Sequence, residues 1–200
     1  MRVVLVPGGL WEPAMTADRF WEQTGIASGL RVLGYDVVLF DRTYDAPSWD
    51  HDAPALLAEL TEPAAIIAGS NGCSLAVRAA LAAPSRVRRL ILGWPATARN
   101  LDVDASYRAG LTQQAVPAAT VDALLDGETL RGTTDAELSR IINVCRVIPS
   151  EPANRAHQPW TWRRLVELGA ELLPGCPEPP MPTFPAHLDG LLRTLDRVLT

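Results

Sequence analysis

The sequence predicts an α/β protein, a three-layer sandwich built on a mostly parallel six-stranded sheet. Three observations carry this. Short runs rich in Val, Ile, Leu and Ala alternate with helical stretches along the whole chain, as repeated strand–helix units do. Those runs lack a clean apolar–polar alternation, as expected of strands covered by helices on both faces. The 200 residues suit one domain with a sizeable core, and no repeat or linker divides them.

The elements follow in order. RVVLV from Arg2 is the first strand, and PGGLWEP leads from it into a helical stretch from Thr16 to about Leu33. YDVVLF from Tyr35 is the second strand, followed by the helix HDAPALLAEL. AAIIAG from Ala64 is the third, and a helix rich in alanine begins just after Ser70. RVRRLILG from Arg86 is the fourth. A longer helical insert runs from about Asp104 to Ile142, where Thr134 and Glu137 have capping-box spacing. NVCRVI from Asn143 is the fifth strand, with the helix WTWRRLVELG behind it. ELLPG from Glu171 is the sixth, followed by a proline-rich loop and the helix FPAHLDGLLRTLDRVL. In such sheets ligands bind outside the carboxyl ends of the strands. Those ends are PGGLW, DRTYD, GSNG, GWPAT, PSEPANRAH and PGCPEPP.

Composition narrows the chemistry. A net charge of -5 disfavours nucleic acid and anionic membrane surfaces as partners, leaving a small molecule. No apolar run approaches the ~20 residues of a membrane span, and the first strand begins too early to leave room for a signal peptide. The cysteines, Cys73, Cys145 and Cys176, are scattered and odd in number, which points to a reducing, cytoplasmic setting rather than a disulfide framework. They also lack zinc-site spacing, and no metal or other cofactor is expected. Every basic residue of the Lys/Arg class is arginine. Schiff-base chemistry, a pyridoxal phosphate aldimine and a phosphate loop with its lysine are thereby excluded. A histidine base must be His51, His157 or His187.

Ser70 stands where an apolar strand breaks and a helix begins. Such a turn strains the serine backbone and brings the residues two before and two after it together, so both must be small. Here they are Ala68 and Gly72. The helix that begins at Asn71 offers a backbone N–H and its positive dipole end to a developing oxyanion. A second donor can come from PGGL, where Gly8 and Gly9 permit close backbone approach. The alternative is a small turn residue in an inert fold. Ser74 also has small neighbours, but it falls inside the predicted helix. Leu10, Trp11 and Trp94 lie at strand ends and can line an apolar substrate pocket. Trp49, Trp160 and Trp162 can do the same or belong to the core.

These residues resemble the α/β-hydrolase fold family along nearly the whole chain. Ala68-Gly69-Ser70-Asn71-Gly72 is a variant of that family's small-x-Ser-x-small turn. PGGLW stands where the family places its oxyanion loop. Ala83-Pro84-Ser85-Arg86-Val87 is similar to its usual helix end and next strand, and LLPG and Pro185 match the approach to its last helix. The two short strands that often open the family are missing. The resemblance implies a single domain over 1–200, with a small helical lid insert at about 98–142. It further implies a nucleophilic Ser70 with oxyanion donors at Gly9 and Asn71.

The resemblance also exposes a departure. The family's histidine usually follows the strand represented by ELLPG, and counting back from Pro185 puts that place at Glu178. The acid usually follows the strand represented by NVCRVI, and there His157 is found. The two roles can be exchanged, giving a Ser70–His157–Glu178 relay, with Glu151 as a second acid and Asn154 as an orienting group. Alternatively His157 merely opens the next helix. His187 within the last helical segment and His51 between two aspartates read as surface residues.

Two functions are therefore expected. The first is a serine hydrolase that opens a small ester, thioester or lactone through a Ser70 acyl-enzyme. His157 serves it better than Glu178 as base, because a carboxylate with a pKa of ~4 is a poor acceptor for a serine proton unless burial raises it. The second keeps the fold without hydrolysis: a cyclase or lyase using Glu178 as acid/base, or an inert ligand-binding homologue.

Overall fold

The structure, a computed structural model, describes residues 1–9, 14–44, 46–48, 50–95, 101–113, 115–122, 133–149, 160–179 and 183–200, with the backbone alone at 101–104, 106–107 and 160–163. Six parallel strands form one sheet: β1 (Arg2–Val6), β2 (Asp36–Leu39), β3 (Ala64–Gly69), β4 (Val87–Gly93), β5 (Cys145–Ile148) and β6 (Glu171–Leu172). Their spatial order is β2-β1-β3-β4-β5-β6. The helices are α1 (Ile26–Val32), α2 (Ala53–Glu59), α3 (Gly72–Ala82), α4 (Leu101–Gln113), α5 (Asp135–Ser139), α6 (Trp160–Glu167) and α7 (Leu188–Leu199).

The three-layer sandwich follows from where alternate strand residues point. Val4 and Val6, Ile66 and Ala68, Leu90 and Leu92 face one core, shared with α2, α3 and Leu165 of α6. Val3 and Leu5, Ala65 and Ile67, and Ile91 face the other, shared with Phe20, Trp21, α1 and α7. Both sets are apolar because both faces are covered, which is why no alternation is visible in the sequence. The chain leaves β1 toward β2 by way of α1. It returns past β1 to β3 by way of α2, and then proceeds outward. With right-handed crossovers, reversing direction along the sheet puts α1 and α2 on opposite faces, and their separate cores agree.

Three predicted elements differ in detail. The stretch from Thr16 to Leu33 is not one helix. It is a π-helical turn (Asp18–Glu22) and then α1, separated at Gly25, whose φ of 84° is left-handed. A Cβ at Gly25 would lie 2.8 Å from Leu188, and one at Gly29 2.4 Å from Leu192, so α7 packs directly on this backbone. In the insert, α4 ends before Ala115 (φ 58°), the chain turns helical again at 118–122, and α5 follows. Thr134 and Glu137 form the expected capping box: Glu137 N–H donates to Thr134 Oγ1 at 3.2 Å and Thr134 N–H to Glu137 Oε2 at 2.7 Å. Leu111, Val116, Val121 and Leu138 join the core on the α3 face. The last predicted helix opens with a 3-10 turn, Phe184–His187, before α7.

Among the described residues, no helix is long and apolar enough to cross a membrane.

Candidate functional site

Strand order decides where a ligand can sit. The chain runs from β1 to one side of the sheet and from β3 to the other, so the order reverses between β1 and β3. A crevice opens outside the carboxyl ends of two strands at such a reversal. The residues that follow β1 are Pro7, Gly8 and Gly9, and those that follow β3 are Ser70 and Asn71. The two sequence features singled out for an acyl-transfer site thus meet at the topological switch point.

Ser70 has φ 50°, a left-handed conformation that costs a non-glycine residue roughly 1–2 kcal/mol. It is held there from both sides. Its N–H donates to Gly93 O at the end of β4 (2.9 Å), and its carbonyl accepts from Cys73 N–H in the first turn of α3 (3.2 Å). The neighbouring glycines show how tight the turn is. A Cβ at Gly72 would lie 2.3 Å from Pro7 O, and one at Gly69 2.5 Å from the Phe20 ring. A Cβ at Gly8 would lie 2.5 Å from Ser70 Cβ and 3.3 Å from its Oγ, so the backbone at Gly8 rests against the serine side chain. Gly9 has φ 73°. Ser70 is half-buried and Asn71 is buried.

Glu178, half-buried in the loop after β6, acts on Cys73 in the first turn of α3. Burial pushes the Cys73 thiol well above its ordinary range, and the negative charge of Glu178 adds to the rise. The Cys73 Sγ meets Ala68 O and Gly93 O, each at 3.4 Å, so it is a buried packing group beneath the turn. Among the described residues, no side chain is hydrogen-bonded to Ser70 Oγ. His157, Glu151 and Asn154 lie outside the described residues, as do Leu10, Trp11 and Trp49. The side chains of Trp160 and Trp162 are outside them too.

Trp94 is placed differently from its expected position in a pocket wall. Its indole is 3% exposed and packs with Phe20, Trp21 and Phe184 at ring-centroid distances of 6.4 Å each. Its Nε1–H donates to Cys176 O at 2.7 Å. A tryptophan at a strand end has two ways to turn, and here burial of its large apolar area with a satisfied N–H prevails. The bond to Cys176 ties the end of β4 to the loop that carries Glu178.

His51 is exposed near the start of α2. His187 is half-buried and lines a separate cleft of about 660 Å³ between residues 174–176 and α7, whose lining includes neither Ser70 nor Glu178. Ser74 lies buried inside α3, as its position predicted. Among the described residues no group of three or more His, Cys, Asp or Glu gathers as a metal site.

One participant was not singled out from the sequence. Arg42, in the DRT segment after β2, donates from Nη2 to Gly8 O at 2.7 Å. The signal for it was only that DRTYD ends a strand on the ligand side.

By sequence the chain matches no family model and no curated protein. Solved structures are similar to it over nearly its full length. The α/β hydrolase MGS-MChE2, from the metagenome of Mar Chica lagoon sediments in Morocco, is 16% identical with a TM-score of 0.65, over 96% of this chain and 89% of that one. The 2-hydroxy-6-oxo-6-phenylhexa-2,4-dienoate hydrolase of Rhodococcus sp. strain RHA1 is 16% identical with a TM-score of 0.61, over 98% and 89%. The N-formylmaleamic acid deformylase of Pseudomonas putida S16 is 16% identical with a TM-score of 0.55, over 88% and 83%. At these identities the likeness is one of fold.

Proposed function

We propose that this chain, whose fold is that of the α/β-hydrolases, is a serine hydrolase acting on a small ester, thioester or lactone. The observation that carries the reading is Ser70 itself: a non-glycine residue at φ 50° on a strand-to-helix turn, with the Gly8 backbone against its side chain. Strain of that kind persists only where surrounding structure enforces it. Here it puts a hydroxyl at the carboxyl end of the sheet, at the start of a helix.

In the proposed reaction Ser70 Oγ bonds to the substrate carbonyl carbon while its proton passes to the base. The carbonyl π pair moves onto oxygen, and the backbone N–H groups of Gly9 and Asn71 donate to that oxyanion. The tetrahedral adduct then collapses and expels the alkoxide or thiolate, which takes the proton from the base. Water, deprotonated by the same base, repeats the sequence on the acyl-enzyme and releases the acid. His157 is the base in this reading, and Glu178 orients it. Leu10 and Trp11, which follow Gly9 in the chain, bind the substrate's apolar part.

Glu178 supports a second reading. Its charge is felt at Cys73 in the first turn of α3, and in this reading the carboxylate serves a non-hydrolytic reaction, a cyclisation or elimination, as acid/base. An inert ligand-binding homologue would keep the same fold.

Fluorophosphonate labelling separates these. A hydrolase forms one covalent adduct at Ser70, and Ser70→Ala abolishes both the adduct and the turnover of activated esters. A folded wild-type chain that takes no label would refute the acyl-enzyme.

A further inference from the structure

We infer that Arg42 is a positioning residue for the oxyanion donor at Gly9, a role that rests on the acyl-transfer reading of Ser70. The argument begins with one peptide unit. The carbonyl of Gly8 and the N–H of Gly9 belong to the same planar trans peptide and point in opposite directions. Whatever holds Gly8 O therefore aims Gly9 N–H. Arg42 Nη2 holds Gly8 O at 2.7 Å, a short charge-assisted hydrogen bond. The guanidinium also polarises the peptide it grips, which strengthens the N–H as a donor.

A grip of this kind is needed here. Glycines at positions 8 and 9 lower the steric barriers to rotation of their shared peptide. Without an external anchor, the Gly8–Gly9 peptide can flip and present its carbonyl, rather than its N–H, to a developing negative charge. The left-handed φ of Gly9 (73°) and the contact between Gly8 and Ser70 describe one of the conformations the pair can adopt, and Arg42 selects it.

Arg42 is itself fixed by its chain neighbours. Asp41 Oδ1 accepts from Ala17 N–H at 2.7 Å. Thr43 donates to Asp52 twice, from N–H to Oδ2 at 2.9 Å and from Oγ1 to Oδ1 at 2.7 Å. Asp52 is buried and Thr43 is exposed, so these bonds lie at the edge of the core. Two adjacent residues, Asp41 and Arg42, therefore clamp positions 17 and 8, the two ends of the segment that leads from β1 toward the π-helical turn. Thr43 fastens the clamp to the start of α2. The segment DRT works as a strut between the second strand and the oxyanion loop.

The test uses the full chain, a fluorophosphonate probe and p-nitrophenyl acetate. In the labelling reaction the Ser70 Oγ–P bond forms, the P–F bond breaks, and fluoride leaves with the serine proton. Its P=O oxygen needs the same donors as an ester oxyanion. Losing one such donor costs about 10²–10³-fold in rate, and losing its alignment costs about 10²-fold. Arg42→Met keeps the length of the stem and removes the donor. It is expected to slow labelling and kcat about 10²-fold at nearly unchanged KM. Arg42→Lys, which keeps a charge and a donor, stays within about 10-fold of wild type. Millimolar guanidinium ion restores part of the activity to Arg42→Ala and none to Ser70→Ala. Circular dichroism checks that each variant is folded.

Wild-type protein that labels, with Arg42→Met labelling equally fast, overturns the strut and leaves the hydrolase reading intact. Arg42→Lys slowed about 10²-fold or more relative to wild type also overturns it, and this arm decides the matter if Arg42→Met does not fold. A folded wild-type chain that takes no label overturns the hydrolase reading and the strut together.

Discussion

Replacing Gly72 by alanine adds one methyl group at the tightest point of the site. The new Cβ would lie 2.3 Å from Pro7 O, 3.0 Å from Pro7 C and 3.2 Å from Val6 O. All three are backbone atoms, so no side chain can rotate out of the way. Relieving the contact to about 3.0–3.4 Å requires the start of α3 and the end of β1 to separate by about 1 Å, in a region packed at the density of an organic crystal. Overpacking of this kind costs about 1–3 kcal/mol. The better helix propensity of alanine returns at most ~1 kcal/mol, and less at a first-turn position. The clash wins, leaving a net loss of about 1–2 kcal/mol. For a chain of this size that lowers the thermal midpoint by roughly 2–8 °C. Activity falls further than stability. Pro7 leads directly into Gly8 and Gly9, so a shift of about 1 Å there misplaces the proposed donor relative to Ser70 and costs about 10²-fold in kcat/KM. Thermal unfolding by circular dichroism and hydrolysis of p-nitrophenyl acetate measure the two effects. Gly72→Ala with wild-type midpoint and wild-type rate would refute both the close approach and the coupling of β1 to the serine.

Other outcomes follow from the same geometry. Ser70→Gly relieves the left-handed strain but loosens the unfolded chain. It should come out up to about 1 kcal/mol more stable than Ser70→Ala, and denaturant titration showing Ala the more stable would contradict the strain. If His157 and Glu178 form one relay, His157→Ala and Glu178→Gln each cost activity and the pair costs little more than the worse single change. Additive losses in kcat/KM would separate the two residues. Burial, then the hydrogen bond to Asp196 Oδ1 at 2.7 Å and the charge of that carboxylate, push the Tyr35 phenol up to about 12. The folded chain therefore keeps this proton longer than the unfolded one. The stability it contributes is complete below the ordinary 10.0 and is lost as pH rises toward about 12. An alkaline absorbance titration should find one late-ionising tyrosine, absent from Tyr35→Phe. All tyrosines ionising together would count against this hydrogen bond.

Much of the fold was legible in the sequence because its causes are local or periodic. β1 (Arg2–Val6) and β3 (Ala64–Gly69) match their predicted spans to the residue. Each is an apolar run buried on both faces, with a proline or glycine turn at its end. The serine turn was legible for the same reason: the demand for small residues at Ala68 and Gly72 arises within five consecutive positions. The capping box at Thr134 and Glu137 spans four. Where an element's limits depend on a distant partner, the reading fell short. The break at Gly25 answers to the packing of α7, more than 160 residues away. Trp94 turns inward because Phe20, Trp21 and Phe184 make an apolar site for it and Cys176 supplies an acceptor.

The alternation of strand and helix, the strained turn at Ser70 and the glutamate at 178 in the place of a histidine are all legible along the chain. Backbone sterics, hydrophobic burial and residue spacing act over a few residues, so they can be read along one dimension. The place of β1 between β2 and β3 emerges only once the sheet is assembled. That single fact brings PGG and Ser70 to one crevice, and it sets Arg42 against Gly8 across 34 positions of chain. Strand order is a global solution to covering two apolar faces at once. A hydrogen bond between neighbouring strand ends exists only after that solution has been reached.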